Sequence, residues 1–220
     1  MSGDLDGDRV AGALDRGTRA WPVELHEGPV SLRPMRVRDR ARWTAVREAD
    51  AAWLRPWEAT VPPGVPGVEP APPTFAQMVR RGRAEAREGR LLPFAVCLDG
   101  ALVGQLTVGG VARGALRGGH IGYWVSRSVA GRGVIPTAVA LAVDHCFDVL
   151  GLHRLEINIR PENAASLRVV EKLGLRQEGL RPRYLHIDGD WRDHVTYVVT
   201  PEEVPGGLLA RWRAARGPAG

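Results

Sequence analysis

Two glycines one residue apart, Gly131 and Gly133, stand between a strand-like run ending in "GYWVS" and a helix-like run, "VIPTAVALAV". Without Cβ atoms, such a turn adopts φ > 0 and points successive N–H groups at an anion, which the positive end of the following helix also favours. The residue types therefore fit a phosphate cradle, although a purely structural turn would use the same two glycines. A dinucleotide fingerprint needs a third glycine where Pro136 stands, and a P-loop needs Gly-Lys-Ser/Thr, which the chain lacks. Pro136 itself suits a first helical turn, because the N–H it lacks would find no partner there. Further along, Asn163 and Ser166 form Asn-x-x-Ser at a helix start, where an asparagine side chain caps by accepting a backbone N–H. The six histidines do not converge: His145 and His153, like His186 and His194, are eight residues apart, and none forms His-Glu-x-x-His. No metal site is read from them. Cys97 and Cys146 sit in the apolar stretches "FAVCL" and "DHCFDVL" and read as buried free thiols without a redox role.

These residues need a frame, and the chain's patterning supplies one. At 220 residues and 44% hydrophobic content it can bury one substantial core. Residues 1–28 are polar and aperiodic until Trp21 and read as a flexible leader. "VSLRPM" alternates as a strand, and Asp39 is placed to cap "RARWTAVREADAAWL", where Trp43, Val46 and Trp53 recur at near-helical spacing. Six prolines between Pro62 and Pro73 exclude regular structure and predict an irregular surface loop. Thr74 opens a helix with a Thr-x-x-Gln capping box, closed at Gly89. "LPFAVCL" and "ALVGQLTV" meet at Asp99-Gly100, a hairpin turn, and "HIGYWVS" is a further strand. Val139, Val143, Cys146 and Leu150 mark one apolar helix face, and "HRLEINIR" is a strand. Asn163 caps a short helix ending at Gly174, and two last strands flank Asp188-Gly189. A short helix and a frayed end complete the tail, residues 201–220. The predicted fold is mixed α/β: a mostly antiparallel sheet flanked by helices, with one strand–helix–strand crossover.

Charge and hydropathy narrow the function. The net charge is +5, yet Lys172 is the single lysine among 30 basic residues, and the arginines are scattered without interleaved aromatics. Direct nucleic-acid binding is not expected, while an acidic partner such as a ribosomal assembly fits the basic surface. The N-terminal residues show no basic start followed by an apolar stretch, and no apolar run approaches the roughly 20 residues of a membrane span. A soluble, cytoplasmic protein is expected.

"GYWVSRSVAGRGVIPTAVALAV", followed after one strand by "RPENAASLRVVEKLGLRQEG", resembles the GNAT superfamily of acetyl-CoA-dependent N-acetyltransferases. More narrowly it resembles the RimJ/RimL branch, which acetylates N-terminal amines of ribosomal proteins. "LRPMRVRDRARW" and "LHIDGDWRDHVTYVVT" are similar to that branch's opening and closing elements, so the likeness spans residues 29–200, the expected acetyltransferase domain. It implies acetyl-CoA as cosubstrate and a protein or peptide N-terminus as acceptor, such as that of a ribosomal protein. On this pattern Gly131, Arg132, Gly133, Val134 and Ile135 hold the coenzyme pyrophosphate, and the backbone at Trp124 and Val125 pairs with the pantetheine arm. Two positions depart from it: Ala130 replaces a long polar residue, leaving Arg132 as the nearby cation, and Ile135 replaces a small one.

Amide formation from a thioester requires a neutral amine and a proton for the departing thiolate. An α-amine with a pKa of about 7.7 to 8.0 is already roughly a tenth neutral at pH 7, so it needs little help from a base and no nucleophilic cysteine. The resemblance implies that Ser166 lies near the sulfur as a proton donor, beside Asn163. Where the branch carries a glutamate as base, this chain offers Tyr184, a weak base with an ordinary pKa near 10. Glu156 is the substitute, alternating with Leu155, Ile157 and Ile159; a strand glutamate paired with an arginine would show the same pattern. Trp57, by the same resemblance, lines the acceptor cleft, unless it only packs. Two other functions remain open at this point: acetylation of a small amine such as an aminoglycoside, polyamine or amino acid, and coenzyme A binding without turnover.

Overall fold

Apolar side chains on both faces of the central strands force the sheet to lie between two helical layers. The computed structural model of the protein describes residues 20–64 and 73–217. Its strands are β1 (Leu25–Glu27), β2 (Val30–Pro34), β3 (Leu92–Leu98), β4 (Ala101–Ala112), β5 (Gly118–Val125), β6 (Arg154–Ile159), β7 (Arg176–Ile187) and β8 (Asp190–Val199). They form one sheet in the order β1-β2-β3-β4-β5-β6-β8-β7. Every neighbouring pair is antiparallel except β5 and β6. The mixed α/β class, the antiparallel hairpins and the single crossover therefore stand as expected.

The helices are α1 (Arg40–Ala49), α2 (Ala51–Leu54), α3 (Phe75–Arg87), α4 (Val134–Asp148), α5 (Ala164–Leu173) and α6 (Leu208–Arg216). On β3, Leu92, Phe94 and Val96 join the large core that contains α4, whereas Ala95 and Cys97 join Met35, Val79 and Leu102 on the α1–α3 side. This is the two-residue period of a strand buried on both faces. α4 is apolar nearly all round, not on one face alone: Val134 to Val143, His145 and Cys146 are all buried. The reason is its position, enclosed by the sheet, α5 and α6.

Local signals were sound where the chain answers to its neighbours in sequence. Thr74 and Gln77 form the reciprocal capping box of α3, with Thr74 N–H donating to Gln77 Oε1 at 2.8 Å and Gln77 N–H to Thr74 Oγ1 at 3.3 Å. Such a box stabilises a helix start by about 1 kcal/mol. The two Asp-Gly turns take positive φ at both residues, 50° and 77° at Asp99-Gly100 and 47° and 83° at Asp188-Gly189. Asp39 behaves differently from a cap of α1. Its carboxylate turns back to accept from Arg36 N–H at 2.8 Å and from both Nη atoms of Arg33 at 2.7 and 2.8 Å. Burial raises the Asp39 pKa, but Arg33 and the Arg36 N–H outweigh it and hold the group below the usual carboxylate range.

Packing also continues past residues 29–200 at both ends. Trp21 meets Phe94 edge-on at 5.2 Å, β1 adds a strand before residue 29, and Leu208 and Trp212 of α6 are buried in the α4 core. Cys97 and Cys146 are free and buried, and burial pushes the Cys146 thiol up to about 12. Of the proline-rich loop, residues 65–72 lie outside the described residues.

Candidate active site

β5 and β6 run together only from Gly118 to His120, paired with Arg154 to Glu156. Beyond His120 the two strands part. Ile121–Val125 keep β4 as partner on one side, so every second N–H and C=O of this stretch faces an open gap on the other. Helix α4 starts beside β5 and α5 beside the end of β6, and a cavity of about 900 Å³ fills the space between them. That volume lies in the range of small-molecule and cofactor sites.

One wall is the two-glycine turn. Gly131 and Gly133 have φ of 82° and 81°, in the region where a residue with Cβ is strained. Gly133 is the N-cap of α4, and its carbonyl accepts both Thr137 N–H at 3.1 Å and Thr137 Oγ1–H at 2.9 Å. The N–H groups of Val134 and Ile135, in the first turn, have no acceptor within the helix. A Cβ placed on Gly131 would meet nothing within 4 Å, so the turn borders open space. Ala130, Gly131, Gly133, Val134 and Ile135 line the cavity; Arg132 is not among the lining residues. Backbone donors at a helix N-terminus beside free space fit a diphosphate, and they do so without any particular side chain at 130 or 135. Arg168 and Lys172 of α5 add positive charge to the same cavity.

The start of α5 forms the adjoining wall. Asn163 Oδ1 accepts Ser166 N–H at 3.1 Å, the cap expected from Asn-x-x-Ser. Ser166 Oγ shares a 2.6 Å hydrogen bond with the phenol of Tyr123, which projects from β5. Burial raises the Tyr123 pKa far above its ordinary value, so the phenol stays protonated and can donate to the Ser166 oxygen.

The third wall is aromatic. Trp43, Trp53, Trp57 and Trp124 line it together with Arg47, Glu58, Met78 and Gln105. Arg47 lies over the rings of Trp43 and Trp124, 4.9 and 5.4 Å from their centroids. Trp53 Nε1 donates to the Val125 carbonyl at 3.3 Å, and Arg160 donates to Pro56 O at 2.7 Å while covering the Trp57 ring.

Of the residues singled out by sequence, Trp57, Trp124, Val125, Gly131, Gly133, Val134, Ile135, Asn163 and Ser166 all meet at this cavity. Glu156 and Tyr184 do not line it. Glu156 sits at the closed end of the gap, opposite His120, and pairs with Arg154 and Arg181 at 2.9 Å each. The paired-strand-glutamate alternative is therefore the one its surroundings match. Tyr184 stands edge-on to His194 at 5.8 Å and under the Arg181 guanidinium at 4.8 Å. Tyr123, Arg47 and Glu58 were not found from sequence. For Glu58 the available signal was adjacency to Trp57; for Tyr123 it was the strand's alternation, which turns it opposite to Trp124.

Taken together, a splayed sheet, a helix N-terminus bared by glycines and a cavity joining it to an aromatic cleft define an α/β domain built to present a phosphate-bearing ligand to a second molecule. The chain belongs to the acetyltransferase (GNAT) domain family, whose model matches residues 30–176. A solved structure of Mycobacterium smegmatis RimJ in complex with CoA-disulfide is 44% identical with a TM-score of 0.79, over 90% of this chain and 96% of that one. The probable N-acetyltransferase YjcK of Bacillus subtilis (strain 168) is 38% identical over 48% of this chain and 59% of its own length. The [ribosomal protein uS5]-alanine N-acetyltransferase of Escherichia coli (strain K12) is 33% identical over 48% of this chain and 55% of its own. The match thus spans a little over half the length of these curated relatives. Among the described residues no helix is long and apolar enough to cross a membrane, and no three or more metal-ligating side chains stand together.

Proposed function

We propose that the protein transfers the acetyl group of acetyl-CoA directly to the α-amine of a protein N-terminus, a ribosomal protein being the acceptor that its relatives favour. One observation carries this reading: a single cavity is lined by the Gly131–Gly133 turn, by the Ser166–Tyr123 pair and by the tryptophan cleft. The turn and the first N–H groups of α4 would hold the pyrophosphate, with Arg168 and Lys172 adding charge. The β5 edge from Gly122 to Val125 would align the pantetheine arm by main-chain pairing, as an added strand does. Ser166 would donate to the departing sulfur and regain its proton through Tyr123. The aromatic cleft would take the first residues of the acceptor chain. A relative whose name states a ribosomal-protein acceptor, the uS5-alanine enzyme at 33% identity, supports a peptide acceptor; the L-amino acid N-acetyltransferase AaaT and the spermidine N(1)-acetyltransferase of Escherichia coli (strain K12), 29% and 31% identical over fewer residues, carry the small-amine alternative.

Acetyl-CoA consumption tests the reading on the full chain. Hexapeptides beginning with Ala, Ser or Met are compared with spermidine and free amino acids at equal concentration. Turnover on peptides, with N-acetylated peptide as product, is expected. Turnover confined to the small amines would overturn the acceptor, and acetyl-CoA binding without turnover on anything would overturn the enzyme.

A further inference from the structure

An ammonium group must lose a proton before it can attack a thioester, and neither Glu156 nor Tyr184 reaches the cavity. Among the described lining residues one carries a carboxylate, Glu58. Resting on the acetyl-transfer reading above, we propose that Glu58 receives the α-ammonium of the acceptor and takes its proton, displacing Arg47, its partner when no acceptor is bound.

The carboxylate projects from a braced backbone. Glu58 closes the short 3-10 turn Arg55–Trp57 and donates its own N–H to Arg55 O at 3.2 Å. Its carbonyl accepts Asp188 N–H at 3.0 Å, Ala59 bridges to Ile187, and Thr60 N–H donates to His186 O at 2.9 Å. The segment is thus pinned to the tip of the β7–β8 hairpin on one side and, through Arg160 on Pro56 O, to the end of β6 on the other. A group held in this way can receive a proton at a fixed place.

Its partner is the second observation. Arg47 pairs with Glu58 through Nη2, and the Glu58 side chain is 39% exposed, open to an incoming cation. Arg47 does not depend on Glu58 alone, because the Trp43 and Trp124 rings hold its guanidinium by their faces. An ammonium entering the tryptophan cleft can therefore exchange one ion pair for another without stranding a charge, the situation that makes such exchanges inexpensive. Charged or titratable groups that line the cavity or hold this segment besides are Tyr123, Arg160, the Arg55–Asp188 pair, His186 beside Thr60, and Arg168 and Lys172 of α5. Asp50, at the α1–α2 junction, is committed to Arg127 N–H at 3.1 Å.

The proton balance closes. One proton of the ammonium passes to a Glu58 carboxylate oxygen and on to solvent; the nitrogen forms the N–C bond as the C–S bond breaks. A second proton leaves the nitrogen for solvent, Ser166 gives its own to the thiolate and is reprotonated from solvent by way of Tyr123, and one net proton is released per turnover.

Kinetics on the full chain with acetyl-CoA and an Ala-initiated hexapeptide test this. In E58Q, kcat/KM for the peptide at pH 7 should fall about 100-fold or more while the acetyl-CoA Kd stays unchanged, and the deficit should narrow above about pH 8, where the α-amine is already neutral. A value within about threefold of wild type at pH 7 overturns the proposal alone. Wild-type protein that binds acetyl-CoA yet turns over no peptide sinks the acceptor reading, and this proposal with it. Independently of any variant, wild-type protein saturated with CoA should bind the hexapeptide at least about tenfold more tightly than its des-amino counterpart, with propionyl in place of alanyl. Equal affinities would also overturn it.

Discussion

At the scale of single residues, the site divides its work between groups that need a particular side chain and groups that need only a backbone. On the proposed reading Ser166 is of the first kind. Its N–H is already used by the Asn163 cap at 3.1 Å, so removing the hydroxyl leaves the helix start intact and takes away only the bond to Tyr123. Ser166→Ala should therefore lower kcat on peptide substrates by about 100-fold, a typical loss for a positioned proton donor, with the acetyl-CoA Kd unmoved. Steady-state kinetics beside calorimetric titration separates the two, and an unchanged kcat would remove Ser166 from the chemistry. Glu156 illustrates the contrary case. Its two arginine partners belong to a chain of ion pairs that continues through Arg154 to Glu178, Arg176 and Glu203. The Arg154 and Arg176 guanidiniums hold the Glu178 carboxyl down to about 2. That network ties β6 to β7 and to the turn after β8, and none of its carboxylates lines the cavity.

At the scale of elements, the two-glycine turn acts through its conformation as much as through the space it leaves. A φ of 81° at Gly133 would strain any residue with a Cβ by about 1 to 2 kcal/mol. Gly133→Glu adds a carboxylate beside the N–H groups meant for a diphosphate, so acetyl-CoA affinity should fall beyond about 100-fold, whereas Gly133→Ala, which adds strain alone, should lose about tenfold or less. Titration of both variants checks this, and retained affinity in Gly133→Glu would contradict the cradle. The same turn shows which parts of the molecule were legible in sequence. Gly131-x-Gly133, the Thr74–Gln77 box, the Asp-Gly turns and the Asn163 cap are all written within four residues, and each formed as read. Asp39 was misread because its carboxylate serves Arg33, a residue of the preceding strand. The parting of β5 from β6 after His120, the Ser166–Tyr123 pair and the Arg47–Glu58 pair involve residues 11 to 43 positions apart, where no local pattern points from one to the other. The encirclement of α4 was hidden likewise, because periodicity reports how apolar a face is and not how many neighbours cover it.

At the scale of the whole molecule, the question is whether residues beyond 200 belong to the working domain, and a chain of contacts from α6 to the cradle bears on it. Trp212 Nε1 donates to Thr137 Oγ1 at 2.8 Å, Thr137 in turn donates to the Gly133 carbonyl, and a Cβ on Gly133 would lie 3.4 Å from the Trp212 ring. Helix α6 is itself capped from α4, since the Asp144 carboxylate accepts Leu208 N–H at 2.6 Å and Leu209 N–H at 3.1 Å. Burial raises the Asp144 pKa, and these two N–H bonds work against it. At the far end Arg213 pairs with Glu27 of β1, so α6 clasps the first strand and the cradle helix together. We therefore propose that the domain extends through α6, and ending the chain after Thr200 should do two separable things. Exposing the α4 surface covered by Leu208 and Trp212 should remove about 3 to 6 kcal/mol of apolar burial, a large part of the stability of a typical domain. That corresponds to a Tm lower by roughly 10 to 20 °C for a chain of this size. Loss of the Trp212 contact should also loosen the Gly133 turn and weaken acetyl-CoA binding about tenfold. Trp212→Phe tells the two apart: it keeps most of the apolar bulk, so Tm should fall by only a few degrees, at about 1 kcal/mol for a lost hydrogen bond, while coenzyme affinity still drops. Thermal unfolding and titration of the truncated chain and of Trp212→Phe measure both effects, and a truncated chain with unchanged Tm and Kd would confine the domain to the residues before 200.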